Sequence, residues 1–401
     1  MELSPGKVRA LRLHAHHLDR PLPAGGLAEA AGACGMQNSP PGAWETAAFN
    51  RVEDCSVCSL HTALYHDRTL LQAWSWRGVP AIFPAEDAGV FLAPLFPHPG
   101  EEPWIYTRGM GLALDLLGMT ADALLPLVLN AACLLDRDTI HGKDTLDRVL
   151  ADAVRPHLPP EKRPLWDGPS PYGHPDRQTV GGAVVSFLLR PCAAAGLVVF
   201  GERTGPTPSF TSLRRWLDGE PPAFGGDGDA ELTRRFLHCY GPALPGDFAD
   251  WLGASPAQAA RLWNALPQQE RVTVTVEGKA RQMLAADLAA AEDLPEDGGG
   301  RLLLLGPHDP YLDLRDRGLI LPDKKRQRAV WRTVANPGVI LRGGCAAGIW
   351  KARTAGRGLE LTLCPWQAPD TATAARLREL AEAYAAFRLM PLKRCAIQPM
   401  G

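Results

Sequence analysis

Residues 240–284 read YGPALPGDFADWLGASPAQAARLWNALPQQERVTVTVEGKARQML, and the order of elements in this stretch decides the fold. The segment before it, 230–240, predicts a helix with Leu232, Phe236 and Leu237 turned inward, stopped by Gly241 and Pro242. PGDFADWL at 245–252 predicts a short second helix that Gly253 ends. Ser255 followed by Pro256 is an N-cap with proline at the first helical position, and it opens a third helix through Leu266. RVTVTV at 271–276 alternates as a strand, EGK at 277–279 turns, and 280–284 returns. Three helices followed by a hairpin is the order of a winged helix-turn-helix.

The same order recurs upstream as topology, without a sequence repeat at fixed period. Residues 7–20, 27–34, 43–50 and 58–73 read as helices. WSWRGVPAIF at 74–83 reads as two short strands around a Gly-Val-Pro turn, and Pro84, Glu86 and Asp87 start a helix over 85–95. Residues 120–134, 143–157 and 179–194 read as helices, and 197–200 and 209–213 as the strands of a second hairpin. A Pro/Gly-rich loop at 159–176 and the linker PPAFGGDGD at 221–229 separate these elements. After the glycines at 298–300, strands are expected at 302–305, 339–341, 348–351 and 359–363, followed by an Ala-rich amphipathic helix over 370–388 capped by Asp370 or Thr371. The expected class is α+β. Three tandem winged-helix domains occupy 1–118, 119–222 and 223–297, and a β-barrel-like domain with a C-terminal helix occupies 298–401.

The 401 residues are 46% apolar, enough for a sizeable core. No apolar run reaches the roughly 20 residues that span a bilayer, and MELSPGKVRALRLHAHH has no signal-peptide core, so a cytosolic protein without a membrane partner is expected. Nine cysteines, an odd number, fit reduced thiols better than a disulfide framework. Cys55 and Cys58 form a single CxxC near His61 and His66, which reads as ordinary thiols for want of a second pair. His14, His16 and His17 cannot all face one metal from a helix and read as surface residues. No nucleotide-binding glycine motif stands out, and neither a metal nor a cofactor is expected. A formal charge of −2 excludes a protein that coats nucleic acid everywhere, but not a local basic groove. Three basic clusters offer one: Lys324, Lys325, Arg326 and Arg328; Lys351, Arg353 and Arg357; and Arg203, Arg214 and Arg215.

GMQNSPPG at 35–42 places two carboxamides and a hydroxyl between two helical segments. Either Asn38 or Ser39 caps a helix beginning near Pro40 or Pro41, or Gln37, Asn38 and Ser39 hold a water molecule for chemistry.

Several passages carry a family resemblance: LDRP at 18–21, WSWRGVP at 74–80, YGPALPGDFADWLG at 240–253, LLGPHDPYLDLRDRGLILP at 304–322 and AGIWKAR at 347–353. On these residues the chain resembles the bacterial tandem winged-helix DNA glycosylases of the AlkZ type, over nearly its whole length. The resemblance implies a C-shaped, monomeric protein whose basic channel holds duplex DNA. It implies hydrolysis of the N-glycosidic bond of N7-alkylated purines, with crosslink unhooking and self-resistance to a genotoxic natural product among the family's roles. The family's catalytic motif is Gln, an apolar residue, then Gln or Asp. Gln37 aligns with the first member, Asn38 replaces the apolar residue, and Ser39 replaces the second polar member. Arg77 matches a recurrent arginine that either bridges within its domain or touches DNA. Asp309 lines the site or braces the barrel. Arg203 and Thr204 on the hairpin loop 201–208, and Lys279 on the loop 277–279, are candidates to meet a groove or phosphates. Lys324, Lys325, Arg326 and Arg353 are candidates for the DNA backbone. The altered motif also admits a non-catalytic protein that binds DNA or damaged DNA.

Overall fold

The computed structural model describes residues 1–102, 108–171, 178–221, 224–296 and 298–400; parts of the expected loop at 159–176 and of the linker at 221–229 lie outside them. The chain forms two compact units, each drawn from separated segments. The first takes Met1–Thr62, Thr233–Phe248 and Pro267–Gly401, and the second takes Ala63–Leu232 and Ala249–Leu266. The stretch 223–297 is therefore shared between them.

In the second unit the helices Ala121–Ala132, Lys143–Val154 and Val180–Ala194 enclose an apolar core that includes Leu124, Val128, Leu146, Leu150, Val184 and Leu188. Thr120 and Thr179 accept from the Ala123 and Gly182 amides, which fixes where two of these helices begin. Helix Val180–Ala194 lies against Trp166, whose indole N–H donates to the Ala151 carbonyl at 3.1 Å. A Cβ at Gly181 would stand 2.2 Å from the Trp166 ring, so this crossing requires glycine. The hairpin pairs Val199–Thr204 with Thr207–Thr211, and its turn is tighter than the loop expected over 201–208. Ile140–His141 adds a third strand, too short to show alternation in sequence.

The segment 58–73 is not one helix. Helical turns run only through Val57–His61 and Thr62–His66, and Leu70–Trp74 then forms a strand paired with Pro80–Pro84. All five residues of Leu70–Trp74 are buried, and a strand buried on both faces loses the alternation that marks it in sequence.

In the first unit, Arg271–Val276 pairs with Lys279–Leu284 across Glu277 and Gly278, both at positive φ, as a two-residue hairpin turn demands. Val274, Val276 and Met283 pack with Val8 and Leu11 of helix Pro5–Ala15. A five-stranded sheet fills the C-terminal part. Leu302–Leu305, Gly338–Arg342, Cys345–Ala355 and Gly358–Pro365 run antiparallel in that order, and Leu392–Ile397 joins parallel to Gly358–Pro365. Helix Thr371–Phe387 makes the crossover that a parallel pair needs, with Asp370 accepting from the Thr373 amide at 2.7 Å. No single helix among the described residues is long and apolar enough to cross a membrane.

Candidate functional site

The Gln-Asn-Ser segment belongs to the first unit. Gly35, at φ +73°, turns the chain into the short strand Met36–Gln37. Gln37 and Asn38 are each 6% exposed, and Ser39 is half-buried. The Gln37 Nε2 donates to the Ser39 carbonyl at 3.0 Å, which fixes Oε1 as the acceptor end of that carboxamide. The Asn38 Oδ1 accepts from the Gly42 amide at 2.7 Å and closes the turn over Pro40 and Pro41. Gly42, at φ +88°, precedes helix Ala43–Phe49 as its N-cap residue. Asn38 thus braces the loop through its side chain, and Gln37 is held within it.

The helix that follows is fastened from beneath. Asn50 donates to the Thr46 carbonyl at 2.8 Å and to the Leu304 carbonyl at 3.0 Å on the sheet. Arg51 makes a bidentate pair with Asp309, at 2.9 and 2.7 Å, and donates to the Ala47 carbonyl at 2.9 Å. The side chains of Arg51 and Asp309 are 2% and 0% exposed. Burial works against the Arg51 charge, but Asp309 outweighs it and raises the pKa of the guanidinium above its ordinary value. Asp309 also accepts from the Tyr311 amide at 3.1 Å, capping the turn Pro310–Leu312. In this geometry Asp309 ties sheet to motif helix from the interior.

A second carboxylate stands at the motif's edge. Glu45, 7% exposed, accepts from His61 at 2.9 Å and is also bound by Arg388. Its Oε2 lies 3.5 Å from where a Cβ at Gly42 would be. Sequence reading missed this group, because its partners lie 16 and 343 residues away. His61 is therefore engaged with a carboxylate rather than set aside for the CxxC. There, burial and then Glu45 push the Cys55 thiol up to about 12, so it stays protonated near neutral pH.

His16 corrects the surface reading of HAHH. The first helix ends at Ala15, and His16 turns inward at 1% exposure against Cys34, Tyr240 and Tyr311. Burial opposes a charge on Cys34, yet hydrogen bonding from Cys239, His16 and Tyr240 prevails and holds that thiol well below its ordinary pKa.

The remaining candidates fall on both units. In the first, Lys279 is exposed at the hairpin turn. Lys324 and Lys325 are exposed on helix Lys324–Val330, which Asp323 caps. Arg326 is half-buried, 5.2 Å over the Trp366 ring and 3.4 Å from Asp323. Arg353 is exposed and pairs across the sheet with Glu360 at 2.7 Å. In the second unit, Arg203 donates to the Pro206 carbonyl at 2.5 Å within its own hairpin, and Thr204 is exposed beside it. Arg77, at φ +54°, donates to the Trp251 carbonyl at 3.2 Å, and a Cβ at Gly253 would come 3.0 Å from its Cα. That geometry gives Arg77 a bridging contact inside its unit.

Residues 30–387 match the model of the AlkZ-like family, described as DNA glycosylase AlkZ-like. No curated protein matches the chain in sequence. Among solved structures, Streptomyces sahachiroi DNA glycosylase AlkZ is similar, with a TM-score of 0.73, 20% identity and 100% of each chain covered. At that identity the likeness is one of fold, and the family rests on the match over 30–387. The chain belongs to the AlkZ-like DNA glycosylase family.

Proposed function

We propose that this protein hydrolyses the N-glycosidic bond of N7-alkylated purines in duplex DNA, acting as a monofunctional glycosylase without a cofactor. The observation that carries the reading is the burial of Gln37, the residue that the resemblance aligns with the first member of the motif, and its orientation by a bond to the Ser39 carbonyl. Cleavage passes through an oxocarbenium-like state. An N7-alkylated purine is cationic and departs neutral, so a strong acid is unnecessary. What is needed is an oriented water and a dipole near the developing positive charge, and the Gln37 Oε1 supplies both roles. The Ser39 hydroxyl assists where the family has a longer side chain, and Asn38 keeps the turn in shape. Lys279, Lys324, Lys325, Arg326 and Arg353 contact phosphates, and the hairpin carrying Arg203 and Thr204 meets a groove edge. The same cleavage at an interstrand crosslink would unhook it and protect a producer of an alkylating natural product.

The test is duplex DNA containing N7-methylguanine, scored for abasic sites. Release should fall about 10²-fold in Gln37→Ala, as expected when a reacting group loses its positioning. Equal release by Gln37→Ala refutes the role of Gln37. The rival reading, DNA binding without cleavage, is favoured by the short Ser39 and by the use of Asn38 as a brace. It predicts salt-sensitive binding with no base release by the wild type.

A further inference from the structure

Three residues that serve no step above converge behind the motif loop. His16 follows the first helix, Cys34 lies three residues before Gln37, and Cys239 sits near the end of helix Gly228–Tyr240. His16 is 1% exposed, Cys34 2% and Cys239 0%. Their ligating atoms all lie within 4.8 Å of one another, and the His16 Nδ1 is 3.7 Å from the Cys34 Sγ. We propose that His16, Cys34 and Cys239 form a structural zinc site.

The spacing suits the ion. Zn–S bonds of about 2.3 Å and Zn–N bonds of about 2.0–2.1 Å put tetrahedral ligand atoms about 3.6–3.8 Å apart. The imidazole–thiol distance already matches, so closure needs little movement of the third ligand. Charge balance singles out a divalent ion. Two thiolates and Zn²⁺ sum to zero, which a buried site tolerates, whereas a monovalent ion would leave a net negative charge in the interior. The Arg51 guanidinium is already paired with Asp309 and is not a full counter-charge for two thiolates. The Ala33 carbonyl, 3.4 Å from the Cys239 Sγ, is a neutral donor at the edge of the cluster for a fourth position. The Tyr240 hydroxyl is 3.7 Å from the Cys34 Sγ but is bonded at 3.0 Å to the Pro310 carbonyl.

Without an ion the cluster has a cost. The sulfur contacts of the cluster, at 3.4–3.9 Å, are weak. Coordination at Nδ1 places the ring proton on Nε2, and the rings of Tyr240 and Tyr311 hold the imidazole with centroids 5.1 and 5.8 Å away. A zinc ion there joins the end of the first helix, the approach to the motif and helix Gly228–Tyr240 at one point.

The experiment uses the full-length protein purified from zinc-replete medium without chelators. Metal analysis should give about one zinc per chain. After chelation, Co²⁺ should bind with a thiolate-to-cobalt charge-transfer band and the visible bands of a four-coordinate site. Cys34→Ser and Cys239→Ser should each abolish that band, Cys58→Ser should keep it, and His16→Cys should keep it with stronger charge transfer. If the serine variants fail to fold, cobalt titration of the wild type decides, together with mapping of which two cysteines the metal protects from alkylation. Substoichiometric zinc with no cobalt band, protection of any other pair, or a Cys34–Cys239 disulfide in the native protein overturns the proposal.

Discussion

Removing Asp309 should unfold the first unit more readily than any surface change. Asp309→Ala strips the Arg51 guanidinium of its bidentate partner while both side chains are sealed from water, at 2% and 0% exposure. The cost has two parts. Two charge-assisted bonds disappear, at 2.9 and 2.7 Å, and a buried cation is left uncompensated. Breaking such a pair from one side costs about 3–5 kcal/mol. For a unit of this size that lowers its Tm by about 6–20 °C, at about 2–4 °C per kcal/mol. Asp309→Asn should fare little better, since it keeps the shape and loses the charge. The informative control is the double replacement Arg51→Met with Asp309→Leu, which removes both charges and should recover most of the loss. Calorimetry and urea unfolding followed by tryptophan fluorescence measure all four proteins. Single variants within about 3 °C of the wild type, or a double variant no better than the singles, would refute the bracing role.

Three further outcomes are expected. Side-chain hydrogen bonds donated to Asp287 and Asp19, opposed by burial, raise the pKa of His238 and His14, so each pair stabilises the fold fully below the histidine's unfolded value and loses that contribution as pH rises through the raised folded value. NMR titration should find both above 6.5, and His14→Gln with His238→Gln should flatten the decline of stability across neutral pH. Lys324→Glu with Lys325→Glu should weaken DNA binding at low salt and reduce the slope of log affinity on log salt by about 2, roughly 0.9 per lost phosphate contact; an unchanged slope removes that helix from the interface. Gly181→Ala should destabilise the second unit by about 1–3 kcal/mol, because its Cβ would meet the Trp166 ring at 2.2 Å, and a neutral result in thermal melts would show that the indole yields.

Local signals were legible and distant pairings were not. Ser255 and Asp370 announced helix starts through caps that need only three or four residues. The alternation of RVTVTV and the glycine after Glu277 marked a hairpin whose register is local. Leu392–Ile397 went unseen because its partner is a parallel strand beyond a helix, and LKRCAI offers little alternation. His16 was misread for a related reason: helical periodicity was carried past Ala15, where the helix stops and the next side chain turns inward. Gln37 was located only through family resemblance, since nothing in QNS separates a loop brace from a water holder. The structure shows Asn38 bracing the loop at the Gly42 amide and Gln37 bonded to the Ser39 carbonyl.

The assembly of the first unit from distant segments also sets a timetable for synthesis. Arg51 must wait for Asp309, 258 residues later, and Glu45 waits for Arg388, 343 residues later. At about 5–20 residues per second, the motif helix leaves the ribosome about 13–70 s before its braces exist. During that interval the contiguous helices of the other unit can already fold, while Trp44, Ala47 and Ala48, buried in the finished protein, stay open to solvent. Until those braces arrive, the segment that carries Gln37 depends on holding chaperones to keep its apolar side chains from aggregating.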